Sequence, residues 1–122
     1  MSPELEEQLY TDFPALFANR GQKGSCMAYG CEHGDGWHGI IRSACRVISL
    51  REANSGRSDF RFSQVKEKWG ILRIYHSGGD EFCAGVIAMA EAVSSVTCER
   101  CGKPGKSTGG GWISTLCEGC RK

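Results

Sequence analysis

Four cysteines near the end of the chain have the spacing of a metal site. They form two Cys-x-x-Cys pairs, Cys98 with Cys101 and Cys117 with Cys120, and fifteen residues separate the pairs. Two residues between cysteines allow both sulfur atoms of a tight turn to reach one ion, and zinc binds such thiolates at about 2.3 Å. Because four thiolates complete a tetrahedron and leave no position for water, the sequence predicts one structural Zn²⁺ ion and no catalytic metal.

The cysteines and histidines of this chain also allow other interpretations. Two redox-active dithiols or two disulfides are the alternatives to the zinc site, although the matched spacing of the pairs favours zinc. The residues that could form a second metal site or a catalytic site are Cys26, Cys31, His33, His38, Cys45, His76 and Cys83. Their spacing matches no established motif, and free cysteines inside helices behave as small apolar residues, so we expect buried or loop thiols here.

A basic and aromatic segment in the middle of the chain is the second feature that could bind a ligand. Its candidate nucleic-acid-binding residues are Arg61, Lys66, Lys68, Trp69, Arg73 and Tyr75. Cationic side chains would meet phosphates and aromatic rings would stack on bases, as in proteins that bind single-stranded nucleic acids. The alternative is an ordinary hairpin with one face in the core and one charged face in solvent. Alternation of apolar and polar residues favours this alternative.

No catalytic constellation is complete in the sequence. A hydrolytic centre of His33, Asp35 and His38 around residues 34–37 can be drawn. The simpler interpretation is that Asp35 caps a helix and Trp37 packs in the core. We therefore expect that the protein is not an enzyme.

Hydrophobic periodicity predicts the elements that must position these residues. Residues 4–18 have helical spacing that Pro14 should break or kink near Phe13, which leaves one helix and two short helices equally open, and residues 19–34 are predicted to be a loop. A helix over 36–52, strands over 60–69 and 71–76 joined at Gly70, and a helix over 80–95 follow. The side chains predicted to face the core from the last helix are Phe82, Val86, Met89, Ala90 and Val93. A short strand over 112–116 returns the chain to the second cysteine pair.

This order predicts an α+β fold in which helices pack on a β-hairpin and a C-terminal four-cysteine zinc ribbon closes the structure. We expect a core of residues 1–96 and a zinc-ribbon module of residues 97–122. The chain has 122 residues, 40% of them hydrophobic and 24% charged, as is ordinary for a soluble globular protein. Its net charge of +1 argues against general polyanion binding. Within segment 42–73, however, eight basic residues face three acidic ones.

The sequence also bears on where the protein acts. No apolar run approaches the roughly 18 residues needed to span a bilayer, so we expect no contact with a membrane. Residues 1–7 are acidic where a secretory signal would be basic and then apolar. Cysteines in metal spacing are typical of a reducing compartment. We therefore expect a cytoplasmic protein.

Three blocks of sequence carry a resemblance to a known family. They are Gly34-Asp35-Gly36-Trp37, the run from Val65-Lys66-Glu67-Lys68-Trp69-Gly70 to Ile71-Leu72-Arg73-Ile74-Tyr75, and the paired cysteines with Gly111-Trp112-Ile113-Ser114-Thr115-Leu116. In this order they resemble a family of small bacteriophage and prophage proteins, from about Phe13 to Cys120. Many proteins of that family end in a histidine-containing metal pair, where this chain has cysteines. The resemblance implies a phage accessory protein in the host cytoplasm and assigns no catalytic residues.

Three classes of function follow from these observations. The first is a module that binds a host bacterial protein, for example in host takeover or against antiviral defence, and the small size and closed metal site favour it. The second is a nucleic-acid-binding protein that uses segment 42–73 and the zinc ribbon. The third, an enzyme, lacks a catalytic constellation. The sequence does not indicate an oligomeric state.

Overall fold

The computed structural model describes residues 1–121, so Lys122, the last residue of the predicted zinc module, lies outside the described residues. The helices are α1 (Pro3–Asp12), α2 (His38–Ser55) and α3 (Glu81–Ser94). The strands are β1 (Cys31–Glu32), β2 (Arg61–Lys68), β3 (Ile71–Ser77), β4 (Lys106–Ser107) and β5 (Thr115–Leu116). The predicted α+β class is confirmed, and the chain ends in a cysteine cluster that can form a zinc site.

Helix α1 begins and ends where its sequence requires. The Ser2 hydroxyl accepts a hydrogen bond from the backbone N–H of Leu5 at 3.5 Å, and Pro3 occupies the first turn, where its missing N–H costs nothing. Phe13 caps the other end, because the residue before a proline disfavours the helical conformation. The predicted interruption at Pro14 is therefore confirmed. A short 3-10 helix at Ala18–Gly21 follows it in place of a second α-helix.

The prediction that Asp35 caps α2 is wrong. Residues 35–37 form a separate 3-10 turn, and α2 starts after Trp37 without a side-chain cap. Because the turn places Asp35 three residues ahead of the helix, its carboxylate accepts a hydrogen bond from the backbone N–H of Ser2 at 2.7 Å instead. The far end of α2 is capped by Gly56, whose φ of 77° is the left-handed conformation that favours glycine.

The β-hairpin agrees with its predicted limits to within one residue at each end. Strands β2 and β3 are antiparallel and are joined by a two-residue turn at Trp69 and Gly70. The segment predicted as loop over 19–34 contains strand β1, which pairs parallel to β2 with Cys31 opposite Val65. The sheet order is therefore β1-β2-β3, with β3 at one edge.

Helix α3 buries only part of its predicted face, because Ala90 is buried and Val86 packs against the core as predicted but the other three residues are not buried. Phe82, Met89 and Val93 are exposed, and the buried positions are Cys83, Ile87, Ala90 and Ser94. Strand β3 lies at the sheet edge, so its outward N–H groups need acceptors. The Ser94 hydroxyl and the Glu91 carboxylate supply them, each at 2.9 Å from a β3 backbone nitrogen. This requirement rotates the polar side chains of α3 toward the sheet and turns its large apolar residues outward.

One main core lies between the helices and the hairpin. Its largest fully buried side chains are Trp37, Phe17, Phe60, Phe62 and Leu9. Phe17 stacks on Phe62 with ring centroids 4.7 Å apart, which joins the segment after α1 to strand β2. A second small cluster contains Cys98, Leu116 and Cys117. Within residues 1–121, no helix is long and apolar enough to cross a membrane.

The C-terminal module has less strand than expected. Instead of a strand over 112–116, only Thr115 and Leu116 form β5, and they pair with Ser107 and Lys106 of β4. Trp112 lies outside this pairing and is 81% exposed. The glycines at 109–111 allow the chain to leave the sheet plane before Trp112, which explains the shorter strand.

Candidate metal centre and its surroundings

The two Cys-x-x-Cys pairs converge on one point. The sulfur atoms of Cys98, Cys101, Cys117 and Cys120 all lie within 4.8 Å of one another, and those of Cys101 and Cys117 are 3.5 Å apart. Four thiolates bound tetrahedrally at about 2.3 Å would be about 3.8 Å from each other. The arrangement therefore fits a tetrahedral metal ion such as zinc.

The ionisation of the cluster also favours a cation. Burial raises the pKa of Cys98, but hydrogen bonds from the backbone N–H groups of Cys117, Cys101 and Arg100 outweigh it and lower the pKa to about 6. The pKa of Cys120 is raised to about 12 by hydrogen bonds to the neighbouring thiols, first of all Cys117. Without a cation, the thiols cannot all ionise side by side. A bound metal ion would remove that conflict.

Local backbone hydrogen bonds shape the first pair into a tight turn. The N–H of Cys98 donates to the carbonyl of Lys103 at 2.7 Å, and the N–H of Gly102 donates to the carbonyl of Cys98 at 2.9 Å. Gly102 has a φ of 83°, which a side chain would strain. The Arg100 guanidinium donates to the carbonyl of Cys120 at 3.1 Å and so links the two pairs.

The Gly34–Trp37 block packs directly against the first cysteine pair. A Cβ on Gly36 would lie 2.1 Å from the carbonyl oxygen of Cys98, so only glycine allows the two backbones to meet. The N–H of Gly36 donates to the carbonyl of Glu99 at 2.7 Å. The indole N–H of the buried Trp37 donates to the carbonyl of Thr97 at 2.9 Å. This block was predicted to form the start of a helix. It instead holds the C-terminal metal module, residues 97–121, against the core.

A second contact fastens the module to the tip of the hairpin. The buried Thr115 hydroxyl donates to the carbonyl of Gly70 at 2.6 Å. A Cβ on Gly70 would lie 3.2 Å from the side chain of Ile113 and from the backbone of Ser114. The hairpin turn and the strand before Cys117 are thus in direct contact. The sequence block at 98–120 therefore contacts both of the others, at 34–37 and at 65–75.

Within residues 1–121, the remaining cysteines and histidines do not form a second metal site, because no other group of three or more potential ligands converges there. Cys31 is buried in β1, and burial raises its pKa to about 12, so it is a poor nucleophile. His33 is buried as well, and burial lowers its pKa to about 4. Its Nδ1 lies 2.7 Å from the carbonyl of Gly34, and Nε2 has no partner within the described residues.

Cys26 and His38 lie apart from any ligand cluster of the described residues, in the 3-10 turn of residues 26–29 and at the first position of α2. Cys45 and Cys83 are buried on the core-facing sides of α2 and α3, as expected for apolar thiols. His76 stacks on Phe60 with ring centroids 4.7 Å apart. Cys45, His76 and Cys83 thus take part in packing, whereas the Cys26 side chain is exposed.

The hairpin brings together most of its candidate residues. Lys66 lies directly across from Arg73, and Tyr75 lies across from Gln64 on the same face. Lys68 and Trp69 continue this surface to the turn. Arg61 does not belong to it. It pairs with Ser77 at the opposite end of the hairpin, and its guanidinium donates to the carbonyls of Ser58 and Phe60.

Two surfaces were missed by sequence reasoning. The first is an apolar groove of about 660 Å³ between α2 and α3. Its signal is that Glu81 and Glu91 are the only charged residues in α3, which is unusual for a surface helix. The second surrounds the exposed ring of Trp112, and its signal is that the three preceding glycines favour a loop over the strand predicted there.

No protein-family model, curated protein or solved structure matches this chain. Its function is therefore inferred from its own residues and contacts. The four cysteines establish a cluster that can hold a metal ion, and the groove and the hairpin face are the surfaces that could bind a partner.

Proposed function

We propose that this protein is a zinc-stabilised protein-interaction module without enzymatic activity. The metal module holds one structural Zn²⁺ ion through Cys98, Cys101, Cys117 and Cys120, and the groove between α2 and α3 binds the partner. The observation that carries the proposal is the uncovered apolar groove. Surfaces of this kind on otherwise polar domains mark sites of protein interaction.

The groove has an almost entirely apolar lining. Among its eleven lining residues, only Ser43 carries a polar side chain. Met89 is 67% exposed and Phe82 48% exposed, and Val47 and Val93 line the walls between them. Burial of a fully exposed side chain of this kind contributes on the order of 1.5–3 kcal/mol, and each of these partly exposed side chains would contribute part of that, so covering the groove is favourable. The shape, a channel between two packed helices, suits an amphipathic helix.

Charge at the rim indicates the chemistry of that helix. The exposed Arg46 precedes Val47 on α2 and forms no salt bridge with any described residue. Arg51 also lies beside the groove, where its guanidinium covers the Phe82 ring and pairs with Asp80. Among the described residues, no charged side chain of either sign lines the groove, and Asp80 offsets the charge of Arg51. The unpaired charge next to the lining residue Val47 is thus that of Arg46. The occupant we propose is therefore a partner helix whose apolar face is flanked by acidic residues.

The resemblance to small bacteriophage proteins supports the biological setting of this proposal. In that setting the partner is a host bacterial protein and the encounter takes place in the host cytoplasm. A metal site with four thiolate ligands has no open position for a substrate, and an apolar groove binds without catalysing a reaction. We therefore propose that binding itself redirects or inhibits the partner, in host takeover or against antiviral defence.

A comparative pull-down tests the groove. Wild-type protein, Met89→Asp and Tyr29→Asp are used as baits in a bacterial lysate treated with nuclease and washed at high salt. Tyr29 is 78% exposed and does not line the groove, so its variant controls for a new surface charge. We expect wild type and Tyr29→Asp to retain a stoichiometric protein that Met89→Asp loses. Retention of the same protein by Met89→Asp would contradict the proposal.

Sedimentation of the same three proteins alone tests whether a second copy covers the groove. A monomer in every case agrees with a foreign partner. A wild-type dimer that Met89→Asp dissociates would show that the occupant is a second copy, and the partner proposal would be wrong.

Nucleic-acid binding is the second candidate, and the outward face of the hairpin favours it. Lys66 and Arg73 are direct cross-strand neighbours, an arrangement of like charges that destabilises a sheet. Neither forms a salt bridge with a described residue, although Glu32 lies beside Lys66 on β1. An anionic ligand would relieve this repulsion. Lys68 and Tyr75 extend the face.

Replacement of Lys66, Lys68 and Arg73 together by alanine tests this second function. We expect the variant to lose binding of single-stranded oligonucleotides, and the wild-type affinity to fall steeply as salt rises. Unchanged oligonucleotide binding by the triple variant would remove the hairpin face from consideration.

A further inference from the structure

Two exposed tryptophans face a common cavity at the junction of the hairpin and the metal module. Trp69 is 65% exposed at the tip of the hairpin, and Trp112 is 81% exposed in the loop before β5. A cavity of about 290 Å³ lies between them, bordered by Lys68 and Ile113. Indole rings are the largest apolar side chains, and exposing two of them beside one cavity leaves a surface suited to a flat ring.

The hairpin turn places Trp69 in a left-handed backbone conformation that tryptophan adopts only with strain. Trp69 has a φ of 58°, and it is the only residue other than glycine with a positive φ among residues 1–121. Gly70 follows with a φ of 78°, so both central residues of the turn are left-handed, a conformation in which Asn-Gly is preferred. A tryptophan at this position costs stability and buries little surface. Strain of this kind is concentrated at functional sites.

Positive charge lies next to the rings. On the other side of Trp69, a second cavity of about 530 Å³ is lined by Lys68, Arg73 and Tyr75. Glu91 also borders this cavity, and its carboxylate accepts a hydrogen bond from the backbone N–H of Ile74 at 2.9 Å. Glu67 borders the first cavity, and its carboxylate accepts from the N–H of Gly70 at 2.7 Å. A backbone N–H thus holds each carboxylate in place without removing its charge, whereas the two basic side chains form no salt bridge with described residues and can turn toward a ligand.

We propose that Trp69 and Trp112 form a clamp that stacks a base of single-stranded nucleic acid, with Lys68 and Arg73 binding the adjacent phosphates. This inference rests on the second candidate function and specifies its ligand. Every base has an aromatic face, so stacking between two indoles binds single strands with little sequence preference. Duplex DNA is excluded, because its bases are already stacked on one another.

The clamp joins two parts of the chain that only the tertiary structure brings together. Trp69 belongs to the hairpin, and Trp112 belongs to the loop that leads to Cys117. The hydrogen bond from Thr115 to the carbonyl of Gly70 holds these two parts in register. The spacing of the two rings therefore depends on the folded metal module.

Fluorescence anisotropy of the zinc-loaded full chain tests the clamp. The probes are a labelled single-stranded oligothymidylate and an abasic oligomer of the same length, which carries the same charge but no bases. We expect wild type to bind oligothymidylate more tightly by roughly 5- to 150-fold, the equivalent of about 1–3 kcal/mol of stacking per base. Trp112→Ala should remove this difference and leave abasic binding unchanged. Tyr29→Ala, which removes an exposed aromatic elsewhere, should behave as wild type.

Trp69→Asn provides an independent signature. Asparagine tolerates the left-handed conformation, so the variant should melt at a higher temperature than wild type and yet bind oligothymidylate more weakly. A merely structural role for Trp69 would not combine these two changes.

The outcomes distinguish failure of the tryptophan clamp from failure of nucleic-acid binding as a whole. If wild type binds both oligomers equally, or if Trp112→Ala keeps the preference for bases, nucleic acid is bound by charge alone and the clamp is wrong. If neither oligomer binds, the second candidate function fails and the clamp fails with it. Tighter binding to a duplex than to the single strand would likewise overturn the clamp.

Discussion

At the residue scale, glycines determine how closely the metal module approaches the core. Gly36 lies against the carbonyl oxygen of Cys98, at a distance that excludes any side chain. Gly39, three residues later and in the first turn of α2, has open space beside it, since a Cβ added there would meet no neighbouring residue within 4 Å. The two positions therefore form a matched pair, in which the same substitution has opposite effects.

We expect Gly36→Ala to destabilise the protein and to weaken metal binding, because the new methyl group would displace the first cysteine pair. Gly39→Ala should instead stabilise the protein slightly, by less than the ~1 kcal/mol that alanine gains over glycine in a helix interior, because position 39 lies in the first turn. Chemical denaturation and competition with a metal chelator measure the two quantities. Equal metal affinity in Gly36→Ala and wild type would contradict the claim that the contact at Gly36 positions the first cysteine pair.

His33 gives the protein a dependence on pH. Burial lowers its pKa from 6.5 to about 4 in the folded chain, while the unfolded chain keeps the ordinary value. Between these two pKa values the unfolded chain binds more protons, so the free energy of unfolding decreases as the pH falls from about 6.5 to about 4. The expected loss is on the order of 3 kcal/mol.

A comparison with His33→Gln isolates this contribution. Acid also protonates the cysteines, but that effect is common to both proteins. Urea denaturation across this pH range should show a smaller decrease for His33→Gln than for wild type. Identical pH profiles would mean that His33 is not buried in its neutral form.

At the element scale, helix α3 covers the open edge of strand β3. The Ser94 hydroxyl is fully buried and accepts the hydrogen bond of the Leu72 N–H at 2.9 Å. Removing that acceptor would leave a buried N–H without a partner, which costs about 1–3 kcal/mol. The neighbouring Ser95 hydroxyl bonds only within its own helix, to the carbonyl of Ala92.

We therefore expect Ser94→Ala to lower the free energy of unfolding by about 1–3 kcal/mol and Ser95→Ala to change it by much less. Denaturation with urea measures both. Similar small effects at the two positions would show that α3 does not satisfy the edge of the sheet.

Helix α3 also shows where sequence reasoning succeeds and where it ends. Its predicted limits are correct to within one residue, because its signals are local: apolar periodicity, and Asp80, whose carboxylate accepts a hydrogen bond from the backbone N–H of Cys83 and so caps the first turn. Its predicted buried face is correct for Ala90 and wrong for Phe82, Met89 and Val93, because these large apolar side chains have the spacing of a core stripe and yet face outward. The actual orientation depends on hydrogen bonds to β3, a strand that local periodicity does not place beside the helix.

The candidate site divides in the same way. The spacing of Cys98, Cys101, Cys117 and Cys120 is sufficient to predict a metal cluster, because each pair is a local turn. The contact between Gly36 and the first cysteine pair could not be predicted, since it joins residues more than sixty positions apart along the chain. Strand β1 was missed for a similar reason, because its pairing with β2 involves only Cys31 and Glu32.

At the scale of the whole molecule, the metal module is attached to the core at two places. The Gly34–Trp37 block holds the first cysteine pair, and the hairpin tip holds the strand that precedes the second. Zinc binding in such modules contributes on the order of 10–16 kcal/mol, which is comparable to the stability of an entire domain. We expect removal of the metal to unfold the module and to release the hairpin tip, with a large decrease in melting temperature.

Matched variants separate metal binding from the remaining cysteines in this test. Cys117→Ser removes a proposed ligand and should lower the melting temperature as strongly as chelation does. Cys26→Ser alters an exposed thiol outside the cluster and should leave both stability and metal content unchanged. A chelator-treated protein that melts at the wild-type temperature would contradict the structural role of the metal.

The central claim is that the four C-terminal cysteines bind one zinc ion. X-ray absorption spectroscopy at the zinc edge, together with metal quantification on the purified protein, tests it most directly. We predict one zinc ion per chain, surrounded by four sulfur atoms at about 2.3 Å. Absence of zinc, or a zinc shell that contains nitrogen or oxygen in place of sulfur, would contradict it.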